Sequence, residues 1–421
     1  MRILIYGINF APELTGIGKF SSEMAAWFTD RGHEVRVVTA PPYYPEWRVR
    51  EGFSAWRYRR ETDGPIRILR CPLWVPAAQT AGRRVVHLAS FALSSLPVVL
   101  FQALVWRPDV VGVVVPTLVS APAAWLAARL GGALAWLHVH DFEIDVAFGL
   151  NLLKGSGVRR LFARLERWLM RRFDLASAIS PPMRQRLEAK GVRAERAVLF
   201  PNWVDANAIH PLGGVSPLRD ELGIGADEVV ALYAGNMGEK QGLQTLIEMA
   251  RRIQDHREIV VVLSGEGAAR ARLADSARGL ANVRFLGLYP VERLNDLLNM
   301  ADIHLLPQRS EAADFLMPSK LGGMLASGRP VIAGAREGTQ IAETVKDCGV
   351  VVPPDDADAV AEAVLRLAGD ADTRRALGRK GRARALAEWD GEGILARFEA
   401  ELAARVSPKR GTDQTRGRAG G

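Results

Sequence analysis

The sequence predicts an α/β protein built from two doubly wound parallel sheets. Three observations predict it: the length, a strand–helix alternation, and a restart of that alternation halfway along. A chain of 421 residues exceeds what one hydrophobic core usually serves, so two domains of about 200 residues are expected. In the first half, short apolar runs alternate with helical patterns, as in a parallel sheet covered on both faces. The second half repeats the pattern from Val229 onward.

The expected strands of the first half are residues 3–6, 35–39, 66–70, 110–115, 135–138 and 175–179. Between the first two, residues 21–31 place Met24, Ala25, Trp27 and Phe28 at helical spacing. In the second half, residues 229–233 run into a Gly-rich turn and a helix over 243–254. Strands are expected at 259–263, 283–285, 303–306, 331–333 and 350–352. Pro201, Pro211, Gly213, Gly214 and Pro217 give residues 201–227 the composition of a linker. The expected division is an N-terminal doubly wound domain over 1–205 and a C-terminal one over 206–390. A closing helix over 391–406 and a disordered basic tail over 407–421 complete it.

Composition narrows the class. With 48% hydrophobic and 24% charged residues, the chain is globular and not disordered outside its ends. Cys71 and Cys348, the only cysteines, make neither a disulfide framework nor a metal cluster, which fits a reducing cytoplasm. Residues 2–7 read as a buried strand and not as a signal peptide. The net charge of +8 suits nucleic acid, anionic lipid or a phosphate-bearing substrate, and does not choose among them. DNA binding rests on charge alone, and no nucleic-acid partner is expected.

Parallel sheets bind ligands beyond the carboxyl ends of their strands, so the loops that follow the strands carry the candidate chemistry. Residues 11–19 include Gly16 and Gly18 just before a helix, where free amides can meet an anion. Residues 234–242 combine Gly235, Asn236, Gly238, Lys240 and Gly242, a diphosphate cradle with a lysine. Pro318 suits a first helical turn, which leaves Ser319 and Lys320 at a helix N-terminus. For each loop the plain alternative is a capped turn that touches no ligand. After the strand at 135–138, Asp141 and Glu143 can orient a substrate hydroxyl or accept its proton. No metal site is expected: Asp141 and Asp145 lack Asp-x-Asp spacing, and Asp355, Asp356 and Asp358 read as helix caps. No Gly-x-Gly-x-x-Gly follows the first strand, which argues against a dinucleotide enzyme.

Residues 85–106 contain no Asp, Glu, Lys or Arg, and Arg83, Arg84 and Arg107 flank them. By length they qualify as a membrane span. Spanning would separate strands 3–6 and 110–115, which share a sheet, so a buried helix partly dipping into a lipid interface is expected. A second basic stretch sets Arg159, Arg160, Arg164, Arg167, Arg171 and Arg172 among Leu161, Phe162, Leu165, Trp168 and Leu169. It suits an anionic membrane surface.

The ordered set of motifs resembles glycosyltransferase family 4 over about residues 1–400. It comprises Pro12-Glu13-Leu14-Thr15-Gly16, Arg31-Gly32-His33-Glu34-Val35, Pro201-Asn202-Trp203-Val204-Asp205, the lysine loop, Gly265-Glu266-Gly267 and Ala326-Ser327-Gly328-Arg329-Pro330. Residues 6–19 and Ala40-Pro41-Pro42-Tyr43-Tyr44-Pro45 look most like the glycosyltransferases of colanic acid and related exopolysaccharides. The resemblance implies two facing Rossmann-like domains (GT-B type) with the active site in the interdomain cleft. It also implies retention of anomeric configuration, no bound metal or cofactor, and a UDP- or GDP-linked sugar donor. His140 falls where members have a histidine contacting the transferred sugar. The implied diphosphate set is Gly16, Gly18, Gly235, Asn236, Lys240, Ser319 and Lys320. Gly265, Glu266 and Glu343 are implied for the nucleotide and sugar, with Glu311 and Asp314 as further ribose candidates.

Two departures mark the chain. Asn236 stands where many members have arginine, and Phe315 and Gly323 stand where members place a pair of glutamates. The implied function is transfer of fucose or a related sugar to a polyprenyl-diphosphate-linked glycan, by a cytoplasmic enzyme peripheral to the membrane. The alternatives are a nucleotide-sugar epimerase of the same fold, which needs no acceptor, and an inactive nucleotide- or glycan-binding protein. The missing glutamates favour the inactive reading, and the Gly–Lys loop opposes it.

Overall fold

The computed structural model describes the chain except residues 14–15, 78–79, 116–117, 143–155, 239–240, 310–319 and 417–421. The chain divides into two compact units, Met1–Asn202 with Gly393–Gly421, and Trp203–Glu392.

In the first unit the elements run β1 (Arg2–Tyr6), α1 (Gly16–Asp30), β2 (Glu34–Thr39), β3 (Arg59–Asp63), β4 (Ile66–Arg70), α2 (Ala81–Phe101) and β5 (Val110–Val115). There follow α3 (Ala121–Gly131), β6 (Leu134–Val139), α4 (Ser156–Met170), β7 (Leu175–Ala178), α5 (Pro181–Ala189) and β8 (Ala197–Leu199). The strands form one sheet in the order β3-β4-β2-β1-β5-β6-β7-β8, parallel except for the antiparallel β3–β4 pair. β5 and β6 are buried at every residue, which is why they read in sequence as unbroken apolar runs. β3 is Arg-Arg-Glu-Thr-Asp, largely exposed at the sheet edge, and no hydrophobic pattern announces it. Charge at an open edge also discourages pairing with another chain.

The second unit runs α6 (Pro217–Glu221), β9 (Val229–Ala234), α7 (Gln244–Arg252), β10 (Ile259–Ser264), α8 (Arg270–Ser276), β11 (Val283–Leu286), α9 (Leu294–Met300) and β12 (Ile303–Leu306). It continues with α10 (Lys320–Ala326), β13 (Val331–Gly334), α11 (Gln340–Val345), β14 (Gly349–Val352), α12 (Ala357–Ala368) and α13 (Ala371–Trp389). Its sheet order is β11-β10-β9-β12-β13-β14, parallel throughout. Asp356 accepts from Ala359 N at 2.9 Å and Asp370 from Thr373 N at 2.9 Å. Both carboxylates cap helices, as the aspartates near 356 suggest. In each sheet the chain reverses its winding beside the first strand, between β1 and β5 and between β9 and β12. Those switch points open a crevice at the carboxyl ends of the strands.

Two features depart from the sequence expectation. The apolar helix is not buried: over Gly82–Trp106 only 28% of its most apolar window lies inside the protein. Leu93 is 73% exposed and Val105 65% exposed. The segment is long and apolar enough to cross a membrane, yet β1 pairs directly with β5 on its far side. It therefore lies along the first unit as a surface ridge packed on α3.

The second departure is the last helix, α14 (Gly391–Arg416). The expected closing helix belongs to the first unit, and its helical backbone continues past residue 407 to Arg416. Phe398 stacks on Phe200 with ring centroids 3.9 Å apart and lies 4.7 Å from Trp136. Glu399 bonds His33 Nε2 at 2.6 Å, and Arg405 donates to Glu195 O at 2.6 Å. Truncating an aromatic ring so enclosed costs about 3–5 kcal/mol. Phe398→Ala is therefore expected to lower the unfolding free energy of the first unit by that amount, read as a shifted midpoint in urea unfolding. Arg397→Ala, at an exposed neighbour, should leave the midpoint in place.

Candidate functional site

At the switch point of the first unit, Glu13 organises the loops. Its carboxylate is buried; Oε1 accepts from Tyr43 N at 2.9 Å and Tyr44 N at 3.0 Å, and Oε2 from Asn9 Nδ2 at 2.8 Å. Arg70 reaches the same place from β4, donating to Ala11 O at 2.5 Å and Ala40 O at 2.9 Å. These bonds tie the loop after β1 to the loop after β2. Burial raises the Glu13 pKa against the lowering by its backbone bonds, and three donors satisfy the carboxylate that desolvation penalises. Gly18 follows from this arrangement. A Cβ there would lie 2.9 Å from both Glu13 Cβ and Oε2, so the missing side chain makes room for the carboxylate. Gly16 starts α1 beside the Tyr44 ring. Glu13, quoted in the sequence only as part of a motif, thus emerges as a brace.

His140 follows β6 and is buried. Its ring meets His138 edge-on at 4.3 Å and stacks toward Phe20 at 6.4 Å. Below it, His138 Nδ1 pairs with Ser177 Oγ at 2.8 Å, and the same oxygen accepts from Trp136 Nε1 at 2.8 Å. Burial holds the His140 pKa at about 3 and that of His138 well below the usual imidazole range. His140 is therefore a neutral imidazole at physiological pH, able to exchange a hydrogen bond but not to supply a cation. Asp141 is half-buried beside it. Glu143 lies outside the described residues.

The second unit presents a tighter cluster. Lys320, the first residue of α10, donates from Nζ to Tyr233 Oη at 2.9 Å and lies 4.1 Å from the Tyr233 ring centroid. The tyrosine hydroxyl in turn donates to Asn236 O at 2.6 Å. A Cβ on Gly235 would sit 3.5 Å from Lys320 Nζ, so the ammonium faces the backbone just past β9. The loops after β9 and β10 are joined by Gly235 N to Ser264 O at 2.9 Å and Met237 N to Glu266 O at 2.8 Å. That proximity demands glycine. At Gly265 a Cβ would fall 1.9 Å from Gly235 O, and at Gly267 it would fall 2.5 Å from Met237 O.

Burial pulls the Lys320 pKa down to about 7. The lysine is thus a desolvated cation whose charged form lacks a carboxylate partner among the described residues, and an anion is what would restore it. Glu266 is exposed and pairs with Arg270 at 3.4 Å. Glu343 is exposed on α11, and no described contact joins it to the cluster. Gly323 lies in the middle of α10, 3.4 Å from Leu298 if given a Cβ; it presents no side chain where members place glutamate. Lys240, Glu311, Asp314, Phe315 and Ser319 fall outside the described residues. Tyr233 is the residue that sequence reasoning missed: it read as one more buried strand position, and only the fold brings it under Lys320.

Comparison with known proteins agrees with this architecture. Residues 15–203 match the model of the glycosyl transferase 4-like domain, and residues 228–370 that of glycosyl transferases group 1. The chain is 43% identical over 370 residues to the colanic acid biosynthesis glycosyl transferase WcaI of Escherichia coli, covering 86% of this chain and 90% of the relative. It is 26% identical over 413 residues to a GDP-mannose-dependent phosphatidylinositol monomannoside mannosyltransferase of Mycobacterium tuberculosis, covering 94% of this chain and 97% of that one. In fold it is similar to sucrose-phosphate synthase from Thermosynechococcus elongatus, with a TM-score of 0.74 at 16% identity, covering 97% of this chain and 100% of that one. With both units matched and a relative of this identity over most of its length, the chain belongs to the glycosyltransferases of the family 4 and group 1 type, enzymes of GT-B fold.

Proposed function

We propose that this glycosyltransferase moves a sugar from a nucleotide-diphosphate donor to a lipid-linked glycan, with retention of configuration, in exopolysaccharide synthesis of the colanic acid kind. The observation that carries the reading is the Lys320–Tyr233–Gly235 cluster at the carboxyl end of β9. There the donor diphosphate rests on backbone and on the Lys320 ammonium. The Gly265 and Gly267 loop lets the nucleotide approach, and Lys240 and Ser319 are assigned to the same anion.

In a front-face displacement, the bond from the anomeric carbon to the leaving phosphate oxygen breaks while the acceptor oxygen attacks the same face. The leaving diphosphate takes the acceptor proton. Most of the catalytic burden is then positioning and stabilisation of the charge on the leaving group. Lys320 serves that charge without a metal ion in the scheme. His140, held neutral, hydrogen-bonds the transferred sugar, and Asp141 and Glu143 orient the acceptor hydroxyl. Gly16 belongs to the first unit's share of the substrate surface, while the buried Gly18 contributes by making room for Glu13. Fucose or a related sugar is the proposed cargo. The GDP-mannose dependence printed for the mycobacterial relative makes guanosine the first base to test.

The exposed ridge supports a lipid-borne acceptor. Leu93, Phe101 and Val105 face outward on Gly82–Trp106, as do Leu165 and Trp168 on α4. Arg83, Arg84, Arg107, Arg164 and Arg167 are exposed around them. An apolar face rimmed by arginine suits the interface of an anionic membrane. The enzyme then works at the cytoplasmic face as a peripheral protein.

Two measurements test the reading. Lys320→Ala should weaken nucleotide-diphosphate binding by about 1.5–3 kcal/mol, roughly ten- to a hundredfold, in calorimetric titration against GDP and UDP. Binding favours the ammonium, so affinity should fall as pH rises above about 7, and Lys320→Arg should flatten that slope. The same lysine stays protonated to about 10.4 when unfolded. Its contribution to stability therefore rises with pH between the two values. Absence of nucleotide binding at any pH would sink the reading. For the ridge, Leu93→Asp with Phe101→Asp should abolish flotation with phosphatidylglycerol vesicles and leave nucleotide binding unchanged.

A further inference from the structure

The run Ala326-Ser327-Gly328-Arg329-Pro330 takes no part in the cluster around Lys320. It lies at the amino ends of the second sheet's strands, where Asp302 and Pro330 precede β12 and β13. There a cavity of about 580 Å³ opens against α13. Five arginines line it, Arg329, Arg374, Arg375, Arg379 and Arg382, with Asp302 as their only acidic companion in the lining.

That carboxylate is already engaged, accepting from Arg219 at 2.5 Å and from Val230 N at 2.8 Å. Two of the arginines are fixed by main-chain carbonyls, which orient a guanidinium without neutralising it. Arg374 donates to Leu367 O and Ala368 O, and Arg382 to Ile209 O, Ala206 O and Ala326 O. Arg375 pairs with the highly exposed Asp372. Arg379 is exposed and makes no described hydrogen bond or ion pair. Arg329 is half-buried; among the described residues its one hydrogen bond is to Asn299 O at 3.5 Å, and its buried Nε has no partner there. Burial lowers its pKa, Arg219 and Arg374 lower it further, and Asp302 alone opposes them. Asp390 and Asp370 act on Arg382 and Arg374 from nearby, yet Asp302 is the one carboxylate in the lining, and five guanidinium groups crowd a concave site around it.

We propose that this cavity binds a phosphoryl group of a small anion, at a site distinct from the donor cluster. Planar guanidinium forks match phosphate oxygens two at a time. Five guanidinium groups around one lining carboxylate leave room for further negative charge. The volume admits a body of sugar size behind the phosphoryl group. A strand length, on the order of 10 Å, separates the cavity from the carboxyl ends where Lys320 sits, so one compact anion cannot serve both.

The probe is inorganic pyrophosphate, titrated calorimetrically into the full chain. Lys320→Ala removes the donor cluster's share and should leave a second, salt-sensitive binding event. Adding Arg375→Ala and Arg379→Ala to that variant should weaken the remaining event at least tenfold. Both residues are exposed, and an unchanged Tm checks the fold. Two results overturn the proposal: no pyrophosphate binding in the Lys320→Ala chain, or equal binding with and without the two arginines. Vesicles identify the source of the phosphoryl group. If the two arginine substitutions also reduce sedimentation with phosphatidylglycerol vesicles relative to phosphatidylcholine, the group is a lipid headgroup. If they affect pyrophosphate alone, it is a soluble anion.

Discussion

Parallel strands covered on both faces leave little room for polar chemistry along their length. β5, β6 and β10 are buried at every position, and the polar groups inside the sheets, such as His138 and Ser177, are spent on one another. Chemistry is pushed to the strand ends, and the winding decides which ends open into a crevice. Glu13, His140, Gly235 and Lys320 all stand just beyond carboxyl ends or on helices that follow them. The arginine-lined cavity occupies the opposite ends. The functional geography of this enzyme is a consequence of burying the sheets.

The two units use the same edge in different ways. In the first, the charged groups are satisfied internally: Glu13 takes three donors, and Arg70 gives to two carbonyls and to Glu61. The result is a rigid frame around a neutral, buried His140. In the second, Lys320 has the Tyr233 phenol as its one described side-chain partner, and desolvation leaves its proton loosely held. One unit thus presents a frame that needs no ligand, and the other a desolvated cation.

The strands were legible because a doubly buried strand is a short apolar run, and such runs recur at regular spacing here. β3 was not, since its charged residues are held at the edge by backbone pairing alone. Lys320 could be picked out by its place after Met317-Pro318-Ser319. Its partner Tyr233 could not, because the contact joins residues far apart in the chain. Gly18 read as an opening for ligand, yet its nearest neighbour is the chain's own carboxylate. The arginine cavity was invisible for a related reason: Arg329 and the arginines of α13 meet only after folding, and in sequence the latter look like a solvated helix face. The ridge read as buried because apolar composition cannot say which neighbours will cover it.

The return of α14 to the first unit makes the second unit an insertion in the chain of the first. On the ribosome, residues 1–202 emerge without the ring that covers Trp136 and Phe200, and wait through some two hundred further residues for Phe398. At the synthesis rates usual for bacteria that delay is on the order of ten seconds or more. During it the nascent first unit carries an uncovered aromatic patch at Trp136 and Phe200. A holdase, or the membrane surface itself, is the natural shelter for such a chain. Any truncation before Phe398 leaves the wait permanent.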